Sequence, residues 1–290
     1  MYCFRNLMFF EFYRLTFPIA DVFRKFTDST PAHLARVVHE QISGKLNIYT
    51  PRMQKELVSG IEKFIGDCKE RKVIRNIQVM LSRIIAKPVA NVILGEDDLL
   101  DFFIGESEAD AIDDKLLNHL FGVLYLIVFA SISTTSRALS FALFDYGGRP
   151  ELWNELYEEQ LKIHNESNGY LNSEDVNKKK MINLDCFLKE SFRHSSDIGR
   201  DVYLYMKDTA FNNKFFGETS NDFQPKRHIT SYTNGKIIYS PATKVDRSFI
   251  TFGGGKHACP ELKVVKIVPI KMSSFKIPPI GGVFLLLKFY

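Results

Sequence analysis

The sequence predicts a mainly α-helical fold, organised around one long central helix and carrying little β-structure. Three observations predict it. Apolar residues recur at helical spacing from Leu34 to His194. Prolines and glycines punctuate that pattern where helices start and stop, at Pro31, Pro51 and Gly147-Gly148-Arg149-Pro150. Strand-like runs are confined to Val202 to Met206 and Val283 to Leu287.

The elements follow in order. Residues Met1 to Thr30 are rich in Phe and predict one helix near Ala20 to Phe26. Asp28-Ser29-Thr30-Pro31 is a start signal, a small polar residue followed by Pro at the first helical position. Leu34, Val37, Val38 and Ile42 continue it, and Gly44 is expected to end it. Pro51 is read as the start of the next helix, with Met53, Leu57, Ile61, Phe64 and Ile65 as its apolar stripe. Ile74 to Leu94 predicts another, broken at Pro88, and Glu96-Asp97-Asp98 a polar connection.

Asp113 to Tyr146 is the longest helical pattern. Its segment Leu120 to Ile132 is almost wholly apolar, yet too short to span a bilayer, which predicts a buried core helix. The run then turns to Ser131, Ser133, Thr134 and Thr135. Hydroxyls inside a buried helix compete with the backbone ladder and can bend it, and back-bonding to the preceding turn accounts for any one of them. Leu152 to Leu161 forms the next helix, with Trp153 and Leu156 inward, and Glu166 to Lys180 a solvated loop. Leu184 to His194 is helical and places Glu190 and Arg193 on one side, spacing that suits an ion pair. Ser231 to Arg247 reads as a meandering loop.

Composition is that of a globular protein, and 290 residues suffice for a sizeable core. A formal charge of +4 at this length does not suggest nucleic acid. The four cysteines Cys3, Cys68, Cys186 and Cys259 have no framework spacing, which predicts free thiols in a reducing compartment. The N-terminus, interrupted by Arg5, Glu11 and Arg14, matches neither a signal peptide nor a spanning helix.

The stretch that carries chemistry is Phe252-Gly253-Gly254-Gly255-Lys256-His257-Ala258-Cys259-Pro260. Three glycines allow a close backbone approach to something flat. A cysteine followed by Pro at a helical first position faces amide N–H groups, and these, with Lys256, favour thiolate, a form that ligates metal. Other readings stand beside this one. A phosphate cradle would need a preceding strand and a Gly-Lys-Ser/Thr ending. A zinc site begun by His257 and Cys259 would need a second Cys/His pair. A plain turn with a buried thiol is the usual fate of a free cysteine.

The stretch resembles the cysteine-ligand loop of the cytochrome P-450 family, Phe-x-x-Gly-x-Arg/His-x-Cys-x-Gly. Phe252, Gly255, His257 and Cys259 fill it, and Glu261 stands where the last glycine belongs. The Gly-Gly-Gly-Lys-His-Ala-Cys-Pro wording is most similar to fungal members. Ala130 to Thr135 resembles the family's central-helix pattern Ala/Gly-Gly-x-Asp/Glu-Thr-Thr, with Thr134 at its proton-delivering threonine, Ser133 in place of the acid and Ser131 in place of the glycine. Glu190, Arg193 and Arg227, the last within Phe223-Gln224-Pro225-Lys226-Arg227-His228, resemble the family's structural Glu-Arg-Arg triad. In the family a basic residue near Arg36 or His39 meets a haem propionate; a solvated helix face accounts for both.

The resemblance covers about residues 32 to 259, with a gap after Gly199, and 260 to 290 is a divergent tail. It implies a partial cytochrome P-450 fold in a single, truncated domain. It implies haem ligated by Cys259, electrons from NADPH through a separate reductase, O2, and an apolar small-molecule substrate lined by Leu124 to Ile132. The family also implies the endoplasmic reticulum membrane. With no anchor or signal peptide at its start, the chain as it stands is expected to be cytoplasmic. The alternative from another class is a non-catalytic remnant of the family, structural or weakly haem-binding.

Overall fold

The computed structural model describes residues 33, 36–66, 73–95, 98–107, 113–172, 180–195, 209–233, 236–244, 246, 248, 249, 251 and 252. The expected helix near Ala20 to Phe26, the strands at Val202 to Met206 and Val283 to Leu287, and the tail lie outside these residues.

Helices dominate. A π-helical turn, Val38–Ile42, and a tight turn, Ser43–Lys45, lead into α1, Leu46–Phe64. Two expectations are corrected here. Gly44 does not end a helix, and Pro51 lies inside α1 rather than at its start. Pro51 cannot serve the carbonyl of Asn47, but Asn47 is exposed and water can reach it. Helix α2, Ile77–Leu94, is capped by the Asn76 side chain accepting from the Val79 N–H at 3.2 Å. It runs unbroken through Pro88, contrary to expectation. Packing explains the tolerance: α2 buries Ile84, Ile85, Pro88 and Val89 against α1 and the central helix. A Cβ on Gly60 would lie 3.2 Å from Ile84 Cγ2, so glycine sets that close crossing with α1.

The polar connection ends in a further helix, α3, Leu99–Glu106. Asp98 precedes it, 4 % exposed, and gives its carboxylate to Arg52 of α1 at 2.5 and 3.1 Å. Arg52 also donates to the side chain and carbonyl of Asn91 at 2.8 and 2.6 Å. One guanidinium therefore joins α1, α2 and the start of α3.

Helix α4, Asp114–Gly147, is the predicted central helix. The Asp113 side chain caps it, accepting from Leu116 N–H at 2.7 Å. The expectation that its apolar run is too short to span a bilayer is amended. That run belongs to one continuous helix, and α4 and the stretch Ile77–Glu106 are both long and apolar enough to cross a membrane by length and composition. Core helices of helical proteins pass the same test.

Gly147 ends α4. Pro150 opens a short turn, Pro150–Leu152, that leads into α5, Trp153–Glu166. Trp153 is half-buried and donates its indole N–H to the Tyr146 carbonyl at 2.6 Å. Gln54 of α1 holds the following loop, donating to Gly169 O at 2.7 Å and accepting from Leu171 N–H at 2.9 Å. Helix α6, Ile182–His194, packs against α4 and α5. A single-turn helix α7, Asn213–Phe216, and a turn Pro225–His228 follow.

The expected meandering loop is corrected next. Its first part is an antiparallel hairpin, β1 Ile229–Thr233 with β2 Lys236–Tyr239, bulged between Ile229 and Ser231. Among the described residues it is the only sheet.

Candidate functional site

Helix α6 buries four charged residues in nine positions. Asp185, Lys189, Glu190 and Arg193 are 4, 2, 0 and 2 % exposed. Each takes hold of chain that comes later. Asp185 accepts from the Tyr239 hydroxyl and the Ala242 N–H, both at 3.0 Å. Lys189 donates to Ser240 Oγ at 2.7 Å and lies 4.5 Å from the centre of the Phe249 ring. Arg193 donates to the carbonyls of Ala210, Ser220 and Asp222 at 2.5, 2.7 and 3.0 Å.

Glu190 is the centre of the cluster. Arg193 grips it through two bonds of 2.8 and 2.7 Å, Arg227 Nε donates at 3.0 Å, His228 Nε2 lies at 2.9 Å and the Gln224 N–H at 2.8 Å. The remaining nitrogens of Arg227 donate to Phe216, Thr219 and Asp222 carbonyls at 3.1, 2.6 and 3.0 Å. Planar guanidinium forks suit this many simultaneous bonds.

Burial alone would raise the Glu190 carboxyl. Bonds from Arg193 and His228 overcome it and hold the group at about 2. Burial dominates at His228 and lowers it in spite of Glu190. The imidazole is therefore neutral near pH 7. Since an ionised carboxylate only accepts, Nε2 carries the proton. Burial also lowers Lys189, to about 8, with Asp246 opposing.

The loop entrance sits on the same helix. Phe252 meets Phe192 edge-on, with ring centres 5.5 Å apart, and Phe249 at 6.2 Å. The segment Phe223 to His228 is tied to α4 as well. Arg149 lies 3.7 Å from the centre of the Phe223 ring and pairs with Asp145 at 2.8 Å. Asp145, 6 % exposed, also accepts from Ser191 at 2.6 Å and Ser195 at 2.8 Å.

On α4 the ladder widens to a π-helical turn over Ala130–Thr134. Thr134 is exposed, and its hydroxyl donates to the Ala130 carbonyl at 2.5 Å. Ser133 is half-buried. Single π-turns inside α-helices occur often at functional sites. N-terminal to it, Phe121, Tyr125 and Phe129 stack along the helix at 5.9 and 6.4 Å, with Phe121 and Tyr125 exposed.

No family model matches the chain. Individual proteins do. It is 24 % identical over 157 residues to "Probable cytochrome P450 514A2" of Dictyostelium discoideum, covering 46 % of this chain and 29 % of that protein. It is 40 % identical over 86 residues to "Cytochrome P450 monooxygenase braC" of Annulohypoxylon truncatum, covering 30 % and 16 %. It is 25 % identical over 151 residues to "Lanosterol 14-alpha demethylase" of Mycosarcoma maydis, covering 51 % and 26 %. The chain is a relative of the cytochromes P450. These matches span about a third or less of the length of each of these three relatives.

As a cytochrome P450 relative, the chain has the mainly helical fold expected of a part of that family. Of the sequence-derived site residues, Glu190, Arg193 and Arg227 meet within hydrogen-bonding distance, and Phe252 packs one residue from Arg193, on Phe192. Thr134 and Ser133 lie in the widened turn of α4. Gly255, His257 and Cys259 lie outside the described residues. Arg36, offered as a propionate partner, instead has Glu106 at 3.7 Å and His33 at 3.2 Å, and His39 is exposed. Within Leu124 to Ile132, Ile127 turns into the core, while Leu124, Leu126, Val128 and Ile132 are half-buried.

Sequence reasoning missed Asp185, Lys189 and His228. The signal was present for two of them: Asp185 and Lys189 stand eight and four residues before Arg193, on the face that Glu190 and Arg193 share. His228 directly follows Arg227 and carried no spacing signal.

Proposed function

We propose that the chain is a haem-thiolate monooxygenase of fungal type that inserts one atom of O2 into an apolar organic substrate, the other leaving as water. Two electrons and two protons balance that reaction. The electrons come from NADPH through a separate reductase. The observation that carries this reading is the buried clamp on Glu190, which fixes the segment leading to the cysteine loop, together with the seat of Phe252 on Phe192.

The residues present fit haem. A flat apolar group needs a firmly held loop and apolar walls. Phe252 is anchored at the loop entrance against the rings of Phe192 and Phe249, which offer such a wall. Cys259 would supply the single protein ligand, with Phe252, Gly255 and His257 completing its loop. When bound, haem supplies the oxygen-activating chemistry, and a thiolate ligand favours O–O cleavage.

The chain's own residues do the rest. Glu190, Arg193 and Arg227 hold the loop in place and take no part in proton transfer. The Thr134 hydroxyl donates to the Ala130 carbonyl and its oxygen can accept a further hydrogen bond; giving up the first bond would let it pass a proton on. Ser133, where the family has an acid, can relay but not store a proton. Apolar α4 side chains receive substrate and exclude water.

The test is a spectrum. Haem-loaded, reduced and CO-treated protein should show the far red-shifted Soret band of a thiolate ligand, and Cys259→Ser should abolish it. Loss of the band in a Cys186 or Cys68 variant instead would overturn the assignment.

A second reading, a haem-binding remnant that turns over poorly, is favoured by Ser133 and by Glu261, whose charge next to the thiolate disfavours ligation. Tightly coupled product formation from fatty acids, terpenes or steroids, given a reductase and NADPH, would eliminate it.

A further inference from the structure

The widened turn of α4 has an attachment that no motif predicts. Helix α2 packs along both the π-turn and the helix that follows. The buried positions of α2 are apolar: Ile77, Leu81, Ile84, Ile85, Val89 and Val92 among them. Ser82 is the exception at this contact. Its Oγ lies 3.0 Å from Ser136 Oγ and 2.9 Å from the Gln78 carbonyl. Ser136 is fully buried, at 0 % exposed, and its Oγ lies 3.1 Å from the Ser133 carbonyl.

Each hydroxyl has one proton. Ser136 donates to the Ser133 carbonyl at 3.1 Å, and Ser82 shares its proton between Ser136 Oγ at 3.0 Å and the carbonyl of Gln78 at 2.9 Å. Gln78 is exposed, so water can serve its carbonyl when Ser82 turns to Ser136.

A π-turn must resolve into an α-helix, and the amide ladder shifts by one residue where it does, so carbonyls at the junction compete for partners. Here three carbonyls receive hydroxyls: Ala130 from Thr134, Ser133 from Ser136 and Ser136 from Ser140. Only Ser136 is tied in turn to another helix.

We propose that Ser82 and Ser136 form a polar clasp between α2 and α4 that holds the π-turn in register and so fixes how Thr134 is presented. Apolar packing between helices is non-directional and tolerates small slips and rotations. A hydrogen bond between two hydroxyls at 3.0 Å does not. The clasp pins α4 two residues beyond the distortion, where a slip would otherwise return the helix to regular α-geometry. Both serines are positioning residues. The importance of the Thr134 direction rests on the proposed function; the clasp itself does not.

The experiment follows amide hydrogen exchange in peptides covering residues 130–140 of the haem-free full chain, so its outcome is independent of whether the chain is a monooxygenase. Ser82→Ala, at a half-buried site, should speed exchange there about fivefold to tenfold, the loss of one hydrogen bond, with little change in the urea midpoint. Ser82→Thr keeps the hydroxyl and should restore slow exchange. Ser136→Ala, which also loses the bond to the Ser133 carbonyl, should exchange at least as fast as Ser82→Ala, and the double variant should be no faster than Ser136→Ala alone. Unchanged exchange in Ser82→Ala, additive effects in the double variant, or acceleration spread evenly over the chain would overturn the clasp.

Discussion

Arg227 brings its Nε to 3.0 Å from Oε1 of Glu190, across 37 residues of chain. The same guanidinium spends its other nitrogens on three carbonyls between Phe216 and Asp222. One side chain thus closes a loop onto α6 and fixes its internal path. Removing either partner strands the other's charge in a buried site.

Glu190→Ala should therefore cost about 3–5 kcal/mol, because Arg193 and Arg227 lose the carboxylate they share. Arg227→Lys should fall short of wild type too, since an ammonium cannot reproduce the fork. Urea denaturation checks both. A midpoint within error of wild type for Glu190→Ala would show that the cluster contributes nothing.

Stability should fall in acid for two reasons that act in the same direction. Glu190 titrates at about 2 in the fold against an ordinary 4.5, so its contribution is complete above pH 4.5 and drains as pH falls toward 2. Burial keeps His228 below 6.5, so the unfolded chain takes up that proton first and stability declines as pH drops through 6.5. Lys189 adds a rise on the alkaline side. Its value of about 8 against 10.5 means that the unfolded chain is the more protonated between those limits, and stability climbs with pH there. Lys189→Met should remove that climb; a variant curve parallel to wild type from pH 8 to 10.5 would refute the account.

Gly95→Ala should destabilise by about 1–3 kcal/mol, as overpacking does. An added Cβ would collide with Asp98 Oδ2 and Arg52 Nη2, so the ion pair joining α1 to α3 must move. The check is thermal unfolding, with Gly105→Ala as control, since nothing lies near a Cβ there.

Thr134→Ala should leave haem binding intact and waste reducing equivalents as peroxide in a reductase-coupled assay. The hydroxyl is exposed on the widened turn, so its loss costs little stability. Unchanged coupling would make Thr134 only a cap on the Ala130 carbonyl.

The central helix was legible in the sequence because local physics decides it. Asp113 caps one end, Gly147 and Gly148 stop the other, and the apolar period between is strong. The hairpin at Ile229–Tyr239 was missed although Asn234-Gly235, a strong short-range hairpin signal, stands between its strands. Pro51 and Pro88 misled in the other direction. Local rules make proline a boundary, but burial of Met53 and Leu57 in α1 and of Ile84 and Ile85 in α2 outweighs the bond each proline forfeits.

What the sequence by itself determined was where helices form and which residue types sit in the Glu190, Arg193 and Arg227 motifs. What the tertiary structure alone decided was that the charged residues of α6 are buried along with its apolar ones. Asp185, Lys189, Glu190 and Arg193 carry charge, which is normally costly to bury. They lie inside because the chain from Ala210 to Phe249 folds over them and brings a carbonyl, hydroxyl, amide or counter-charge to each. Apart from the pairing of Glu190 with Arg193, desolvation is offset by partners 17 to 57 positions away, beyond the one or two helical turns that period signals reach.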